Sequence, residues 1–592
     1  MRRRQFLSAS LMAFATPARA ARAQTIADDN APLEASLLDF IPRTEWAAIA
    51  AGTSAYDIAP AIAKANAAGG AVNAPAGRYY VGSSCAFSVP VQARIGAVFE
   101  RAADQTLTFA AGLTASPFAQ LFAGPGLTAF DAATTPVGYP EWWGAKTNAY
   151  WFDCLPALKA AVAACPEVRL APADYWISDT WKINTDTRTI LGSGINGQGP
   201  NPATRVIVTS RTRDAVQIGP DQNPGGGPNS FLNRVEFGHI TCTRSLTPTP
   251  PPSDFEGPSG LRVQFAQNVY VHDCWSVEHS NGFYLRGLVY CLFERSFASR
   301  VAAGSRSAND YFAGWLLDAR DRIGLNAGLA SVYIKEKCGA YGGVHARPTY
   351  GVYTLAAFTD TFISDFETSS IQYGAVFNAD AEGLTYPSEN LRLNNCIFDQ
   401  VLTGIAIKYG GATTNVSVVN CYVAPTNQGG GVGIHIEQIS AKGAGGAVSL
   451  EANEIIGSGG ESTGLLINQS SGVTSLGNLF TDINNPVVMT QASQCRLQDR
   501  ISNATQSVRR AAIQMTDGHR NVISCDIGGG AGRIPKGVEL IGADNHHNEI
   551  MVTGIDPDAL VGGAQTKLVN DGVPVTAAGS FGASNLASGL MK

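Results

Sequence analysis

The sequence predicts an all-β solenoid entered through helices, on three observations. A phrase opening on glycine recurs as Gly374-Ala-Val-Phe-Asn, Gly404-Ile-Ala-Ile-Lys, Gly433-Ile-His-Ile-Glu and Gly464-Leu-Leu-Ile-Asn, at intervals of 30, 29 and 31 residues. Between these copies lies a second phrase: Phe362-Ile-Ser-Asp-Phe-Glu, Leu391-Arg-Leu-Asn-Asn-Cys, Val416-Ser-Val-Val-Asn-Cys, Val448-Ser-Leu-Glu-Ala-Asn and Ser475-Leu-Gly-Asn-Leu-Phe. Near the start, an Asp-led, Ala-rich helix followed by a strand, a proline turn and a second strand is written twice. Such a period is too long for a hairpin and fits one coil of a solenoid, in which neighbouring copies cover each other's apolar faces. Apolar and polar residues alternate with period two, and Gly, Asn and Ser clusters separate the phrases, so each phrase is a strand between turns. Stacked strands of this kind make a parallel β-helix.

Stacking also accounts for residues that would otherwise look functional. Asp273, Asp365, Asn395, Asn420, Asn453 and Asn478 stand at similar strand ends, where short polar side chains satisfy turn backbone groups and bond to the next coil. Cys274, Cys396 and Cys421 each follow one of them, as small soft side chains of an interior stack. The arrangement resembles the right-handed parallel β-helix superfamily that includes pectate lyases, polygalacturonases and phage tailspikes.

Taken in order, Arg3-Arg4-Gln5-Phe6-Leu7, the apolar run Leu11 to Ala15 and Ala18-Arg19-Ala20 read as an export signal over residues 1–23, cleaved after Ala20 or Ala23. The twin arginines look like a bacterial twin-arginine signal, which implies a periplasmic or secreted protein that folds before export. No other stretch approaches membrane-spanning length.

Residues 24–140 form an N-terminal capping and entry region. Asp57 leads a helix before Ala71-Val-Asn-Ala-Pro-Ala-Gly-Arg-Tyr-Tyr-Val, and Asp153 leads one before Val168-Arg-Leu-Ala-Pro-Ala-Asp-Tyr-Trp-Ile. An amphipathic helix is one way to cover a solenoid's open end, hence an expected N-terminal helical cap. The entry, with Pro140-Glu-Trp-Trp-Gly-Ala ahead of the second copy, is similar to the opening of tailspikes and related bacterial β-helix proteins. That similarity implies a homotrimer.

Residues 141–560 are assigned to the solenoid. The proline run from Thr247 to Ser253 is a loop, because proline lacks the amide donor of a central strand. Coils are short around Gly260 and Gly282, 22 apart, and the period breaks between about 301 and 353, a segment rich in aromatics. Long excursions from a rigid scaffold often carry binding groups. Two late copies of D-x-H-x-N-x-I, at Asp517 and Asp544, are 27 apart; coil spacing makes them equivalent turns, so no metal site is assigned to them. Residues 561–592 read as a tail.

The chain has 592 residues, 64 of them glycine and only 15% charged, as expected where turns are many and strands are covered. Eleven cysteines, an odd number at irregular spacing, predict few or no disulfides. A net charge of −6 argues against a nucleic-acid partner. From Arg295 to Arg347, however, eight Lys or Arg face four acids, which would attract an anionic ligand.

For chemistry, an elongated groove with aromatic platforms and polar groups suits a chain of sugars. The substrate-binding candidates are Trp315, Tyr311, Tyr341, His345, Arg347, Tyr350 and Lys335. The acids nearest the broken period are Asp360, Asp365, Glu367, Asp380 and Glu382; Asp365, Glu367 and Asp380 are the catalytic candidates. Asp365 and Glu367, two apart, are expected on one strand face. Coils about 4.8 Å apart could bring such acids to the separations glycosidases use. The expectation is therefore an exported glycoside hydrolase needing no cofactor. One alternative is a lyase on a uronate polymer, using Lys335, Lys337, His345, Arg347, Tyr350, His279 and Arg286. The other is a non-catalytic polysaccharide-binding adhesin. The Gly-His-Gly of polygalacturonases is missing, as is a calcium cluster like that of pectate lyases, and Asn184-Thr-Asp186 lacks its companions. The resemblance thus implies the fold and leaves the reaction open.

Overall fold

The computed structural model describes residues 35–574 apart from short stretches, the largest of them 196–202, 246–257, 300–311 and 379–388. The export signal and Tyr311, His345, Arg347, Asp380 and Glu382 lie outside the described residues. Among those described, no helix is long and apolar enough to cross a membrane.

The chain is a parallel β-helix. Its main ladder runs from Val137 to Pro574 as one sheet of 41 strands, all paired in parallel except the last pair. A full coil contributes three strands and so three faces, as in Thr359–Ser364, Glu367–Ser369 and Tyr373–Asn378. Phe362 pairs with Arg392, Arg392 with Ser417, Ser417 with Ser449 and Ser449 with Thr474, steps of 30, 25, 32 and 25 residues. The strand registers match while coil length varies, because loops at the corners absorb the difference.

The double opening has a physical counterpart. After α1 (Arg43–Ala51), helices α2 (Ala59–Ala68) and α3 (Leu155–Ala164) bury Ala61, Ile62 and Ala65, and Leu158, Ala161 and Val162 respectively. Asp57 and Asp153 play one role twice. Each accepts a bond from the first turn of its helix, at Ala59 N (3.1 Å) or Leu155 N (3.0 Å), and one from the strand turn beyond, at Gly82 N (2.9 Å) or Ser178 N (3.1 Å). Residues 72–130, with the strand Ala35–Ser36, form three short parallel sheets around a core of their own, in which Phe87 stacks on Phe109 and Tyr79 on Phe99. Phe130 and Trp143 pack against both this core and the main one, so the two cores are joined by aromatic contact.

One residue type recurs at the same corner of eight successive coils: Gly260, Gly282, Gly314, Gly351, Gly374, Gly404, Gly433 and Gly464. Strand pairing skips the glycine in every coil, as in Thr403↔Val432 followed by Ile405↔Ile434. Both strands skip one residue, so register is kept across the gap. A Cβ added to Gly404 would collide with the Val423 side chain and lie 2.6 Å from the carbonyl oxygen of Gly433; one added to Gly433 would lie 2.6 Å from that of Gly464.

The expected polar ladder divides in two. Asp273, Asp365, Asn395 and Asn420 occupy left-handed corner positions, φ 50–54°, on the outside, where Asn395 Nδ2 donates to Asp365 at 2.5 Å. Asn453 and Asn478 do not join them. Register pairs Val416 with Val448, so Asn420 stands beside Ala452 and Cys421 beside Asn453. Both asparagines are therefore interior, 1% exposed. Asn478 Oδ1 accepts from the amide N and Nδ2 of Asn453, both at 2.8 Å, while its own Nδ2 donates to Leu450 O and to Asp499. The late motif behaves likewise: Asn521 N donates to Asn548 Oδ1 at 3.0 Å, as equivalent turns should. All eleven cysteines are free, ten of them buried.

Gly404→Ala is expected to destabilise the protein by about 1–3 kcal/mol through forced overpacking, measured by denaturant unfolding. Asn478→Ala, which orphans buried donors, should cost about 1–3 kcal/mol, whereas Asn395→Ala at the exposed corner should cost within about 0.5 kcal/mol. Burial, reinforced by the Arg244 charge, pulls the imidazole of His279 down to about 3. The folded form is neutral where the unfolded ring takes up a proton, so the stability this group contributes is present above pH 6.5 and lost as pH falls from 6.5 toward about 3. His279→Gln should flatten the fall of stability with pH across that window.

Candidate functional site

The outer surface of the first face carries the densest set of ionisable groups among the described residues. Outward positions align there in columns: Glu236, Tyr270, Leu292, Tyr333, Phe362 and Arg392 in one, and Gly238, His272, Glu294 and Lys335 in the next. At the corner that follows, His239, Asp273, Arg295, Glu336 and Asp365 hold left-handed φ of 60, 50, 45, 55 and 51°. Non-glycine residues pay for that conformation. The repeated corner aims five polar side chains along one edge.

These groups are bonded to one another. Arg295 Nε and Nη2 meet Asp273 at 3.0 Å each, and Nη1 meets Glu294 at 3.1 Å and Glu336 at 2.7 Å. Lys335 Nζ is 3.2 Å from Glu294. The Tyr270 hydroxyl donates to Glu294 at 2.7 Å, and its ring stacks on His272 at 4.5 Å. His272 Nδ1 is 2.9 Å from Asp273 and its Nε2 is 3.3 Å from Glu236. Burial alone would raise the Asp273 carboxyl, but bonds from His272 and Arg295 outweigh it and hold the group well below the usual range. Burial opposes ionisation of Glu294 too, and bonds from Tyr270 and Lys335 lower it on balance. Burial lowers His239, keeping it neutral, and burial with the Glu294 bond raises Tyr270. Exposed ion pairs add only about 0–1 kcal/mol each, so stability is a weak reason for this concentration of charge.

Beyond the corner, the second face presents aromatic rings in a row. Trp275 and Phe297 lie 6.4 Å apart, and Phe297 and Tyr341 stack at 6.0 Å. Back on the first face, Tyr333 and Phe362 stack at 4.9 Å with interplanar angle 12°. On the other flank, an open groove of about 530 Å³ is lined by Glu167, Arg188, Thr189, Arg234, Glu236 and Tyr270, among others. Rings, ionic cluster and groove are thus continuous across neighbouring coils.

The residues expected from sequence divide accordingly. Lys335 belongs to the cluster and Tyr341 to the ring row, its hydroxyl 3.4 Å from Glu367 and its acidity weakened by burial, to about 12. Asp365 and Glu367 do not share a strand face: Asp365 is the left-handed corner itself, and Glu367 begins the next strand. Asp360 lies in the strand Thr359–Ser364 with a left-handed φ of 42° and accepts a bond from Asn390 Nδ2 at 2.6 Å. Trp315 points inward, fully buried and stacked on Phe283 at 4.0 Å, so it cannot meet a sugar on the outside. Tyr350, 8% exposed, stacks on Tyr373 in a covered cluster on the third face. His279 is interior, and Arg286 pairs with Asp321. Of the basic segment's described residues, Arg295, Arg320 and Lys335 are each ion-paired, while Lys337 is exposed at the corner beside Glu336.

Sequence reasoning missed Glu236, His239, Tyr270, His272 and Glu294 as site residues. The signal was present in Tyr270-Val-His-Asp273 and Leu292-Phe-Glu-Arg295, consecutive copies of one strand phrase whose outward positions are polar or aromatic.

No protein-family model and no curated sequence matches the chain. Solved structures of similar fold include the Azotobacter vinelandii mannuronan C-5 epimerase AlgE6 A-module, at 13% identity over 73% of this chain and 98% of that one, with a TM-score of 0.41. An N-terminal fragment of bacteriophage Phi29 gene product 12 matches at 13% identity over 74% and 71%, TM-score 0.47. DFA-IIIase from Arthrobacter chlorophenolicus A6 matches at 12% identity over 72% and 97%, TM-score 0.40. The class of the protein, a parallel β-helix, stands on its own strand ladder.

Proposed function

We propose that the protein is a polysaccharide-cleaving enzyme whose substrate lies across the corner between the first and second faces. The ring row would carry sugar faces, and the cluster around Tyr270 and Glu294 would carry the chemistry. The observation that favours one reaction over the other is protonation. Hydrolysis requires one carboxyl held protonated to donate to the glycosidic oxygen. Asp273 and Glu294, however, are both held ionised by their bonds to His272, Arg295, Tyr270 and Lys335. A neutral phenol, Tyr270, stands among them. That arrangement favours β-elimination, in which an ionised carboxylate of the cluster takes the proton next to a sugar carboxylate while the Tyr270 phenol gives its proton to the departing glycosidic oxygen.

Hydrolysis of a neutral glycan is the second reading, favoured by charge. Glu236, Asp273, Glu294 and Glu336 outnumber Arg295 and Lys335 by two, which disfavours a polyanion. Export through the twin-arginine route is part of the proposal and rests on Arg3-Arg4 and the residues after them; folding before export accords with eleven free thiols.

The test is to incubate the mature protein with neutral and acidic polysaccharides, following reducing ends and the absorbance of unsaturated uronates. Elimination gives both signals, with kcat falling at least about 100-fold in Tyr270→Phe and unchanged in Asp365→Asn. Reducing ends without the chromophore would establish hydrolysis instead. Sugar binding with neither signal would make the protein an adhesin.

A further inference from the structure

Two consecutive coils place imidazoles at one corner. His239 and Asp273 occupy the same left-handed position one coil apart, and His272 precedes Asp273 at the end of its strand. One nitrogen of each ring and one carboxylate oxygen of Asp273 lie within 4.8 Å of one another. Asp273 Oδ2 is 2.9 Å from His272 Nδ1 and 3.9 Å from His239 Nδ1. Tetrahedral bonds of about 2.0–2.1 Å put neighbouring ligand atoms about 3.3–3.4 Å apart. The two distances bracket that value, so small side-chain rotations would close the set.

The surroundings are built for these rings. His272 lies directly over Gly238 on the neighbouring strand, where an added Cβ would come within 2.5 Å of its Nε2 and 2.9 Å of its Nδ1. Any other residue at 238 would displace the imidazole. His272 Nε2 is engaged by Glu236 at 3.3 Å, and Glu236 is itself held by Thr189 at 3.3 Å. A carboxylate on the far nitrogen is what orients a metal-ligating histidine and strengthens its free lone pair. Carboxylate oxygens thus face both nitrogens of one ring, which suits a cation held beside it. Arg295 fixes Asp273 from the other side at 3.0 Å.

We propose that His239, His272 and Asp273 bind a divalent ion of the zinc class, with Glu236 and Arg295 orienting the ligands. Two imidazoles and one carboxylate suit zinc or cobalt rather than calcium, which takes oxygen ligands. Three protein ligands leave a coordination position open toward the surface, as in sites that bind water or substrate. On sequence alone Asp273 reads as a ladder residue, and no metal is assigned. The inference does not depend on the polysaccharide reading, since loading is measured without substrate.

The experiment uses the full mature chain without a histidine tag, stripped with chelator and titrated calorimetrically with zinc chloride. Cobalt(II) is added separately and followed by its visible bands. The expected result is about one equivalent of zinc per chain and a tetrahedral or five-coordinate cobalt spectrum. His239→Ala, at a half-exposed position where folding should survive, and His272→Ala should each abolish stoichiometric loading. Glu236→Gln should weaken binding about 10–100-fold. His519→Ala, on a distant coil, should load like the parent. No stoichiometric zinc in the parent, or equal loading in a folded His239→Ala variant, would overturn the proposal, as would a preference for calcium over zinc.

Discussion

Close approach of backbone at one corner is the constraint on which the rest of the main solenoid depends. Eight glycines from Gly260 to Gly464 stack so that each occupies space a Cβ would need to share with the carbonyl of its successor. A side chain at any one of them would press on the carbonyl of the next coil and strain the stacking at that corner. With the corner fixed, outward residues fall into columns, and only then can Glu236 meet Tyr270 and His272, 34 and 36 residues further on, on one surface. Coil length varies mainly in the chain just ahead of the glycine, as between Ser299 and Phe312 or between Tyr341 and Thr349, and the strands beyond keep their register.

Much of this was legible in the sequence, for physical reasons. Six of the eight glycines stood out through their spacing, because a steric requirement repeated per coil leaves a repeated residue. The Asp57 and Asp153 openings were legible because one hydrogen-bonding role was written twice. The interior placement of Asn453 and Asn478 was not: the phrases differ by one residue in where the corner falls, and a one-residue shift exchanges inside for outside. Trp315 was misplaced for a related reason. Its strand, Phe312–Asp318, is buried on both sides, with Trp315 and Leu317 inward and Leu316 in the covered outer cluster, so apolar alternation carried no information about direction.

The functional surface was hardest to read because its members were attributed to structure or to charge. Asp273 is a corner residue, as expected, and also a partner of His272 and Arg295. Arg295 was read as one of a basic run, whereas its guanidinium is shared among three carboxylates. The third face, richest in tyrosine, proves to be a second core: Tyr284, Leu316, Tyr350 and Tyr353 are covered, and buried Asp318 is satisfied by the Tyr284 hydroxyl at 2.5 Å and by Arg320 at 2.7 Å. Aromatic content therefore misled, while the sparser row Trp275, Phe297 and Tyr341 is the one presented outward.

The most direct measurement of where the molecule works is a crystal structure with an oligosaccharide from the polymer it cleaves or binds. Sugar rings are expected along Trp275, Phe297 and Tyr341, with one residue over Tyr270 and Glu294. Sugar bound on the third face around Tyr350 and Tyr373, or beside Asp365 and Glu367 with the Tyr270 cluster empty, would contradict the assignment of the site.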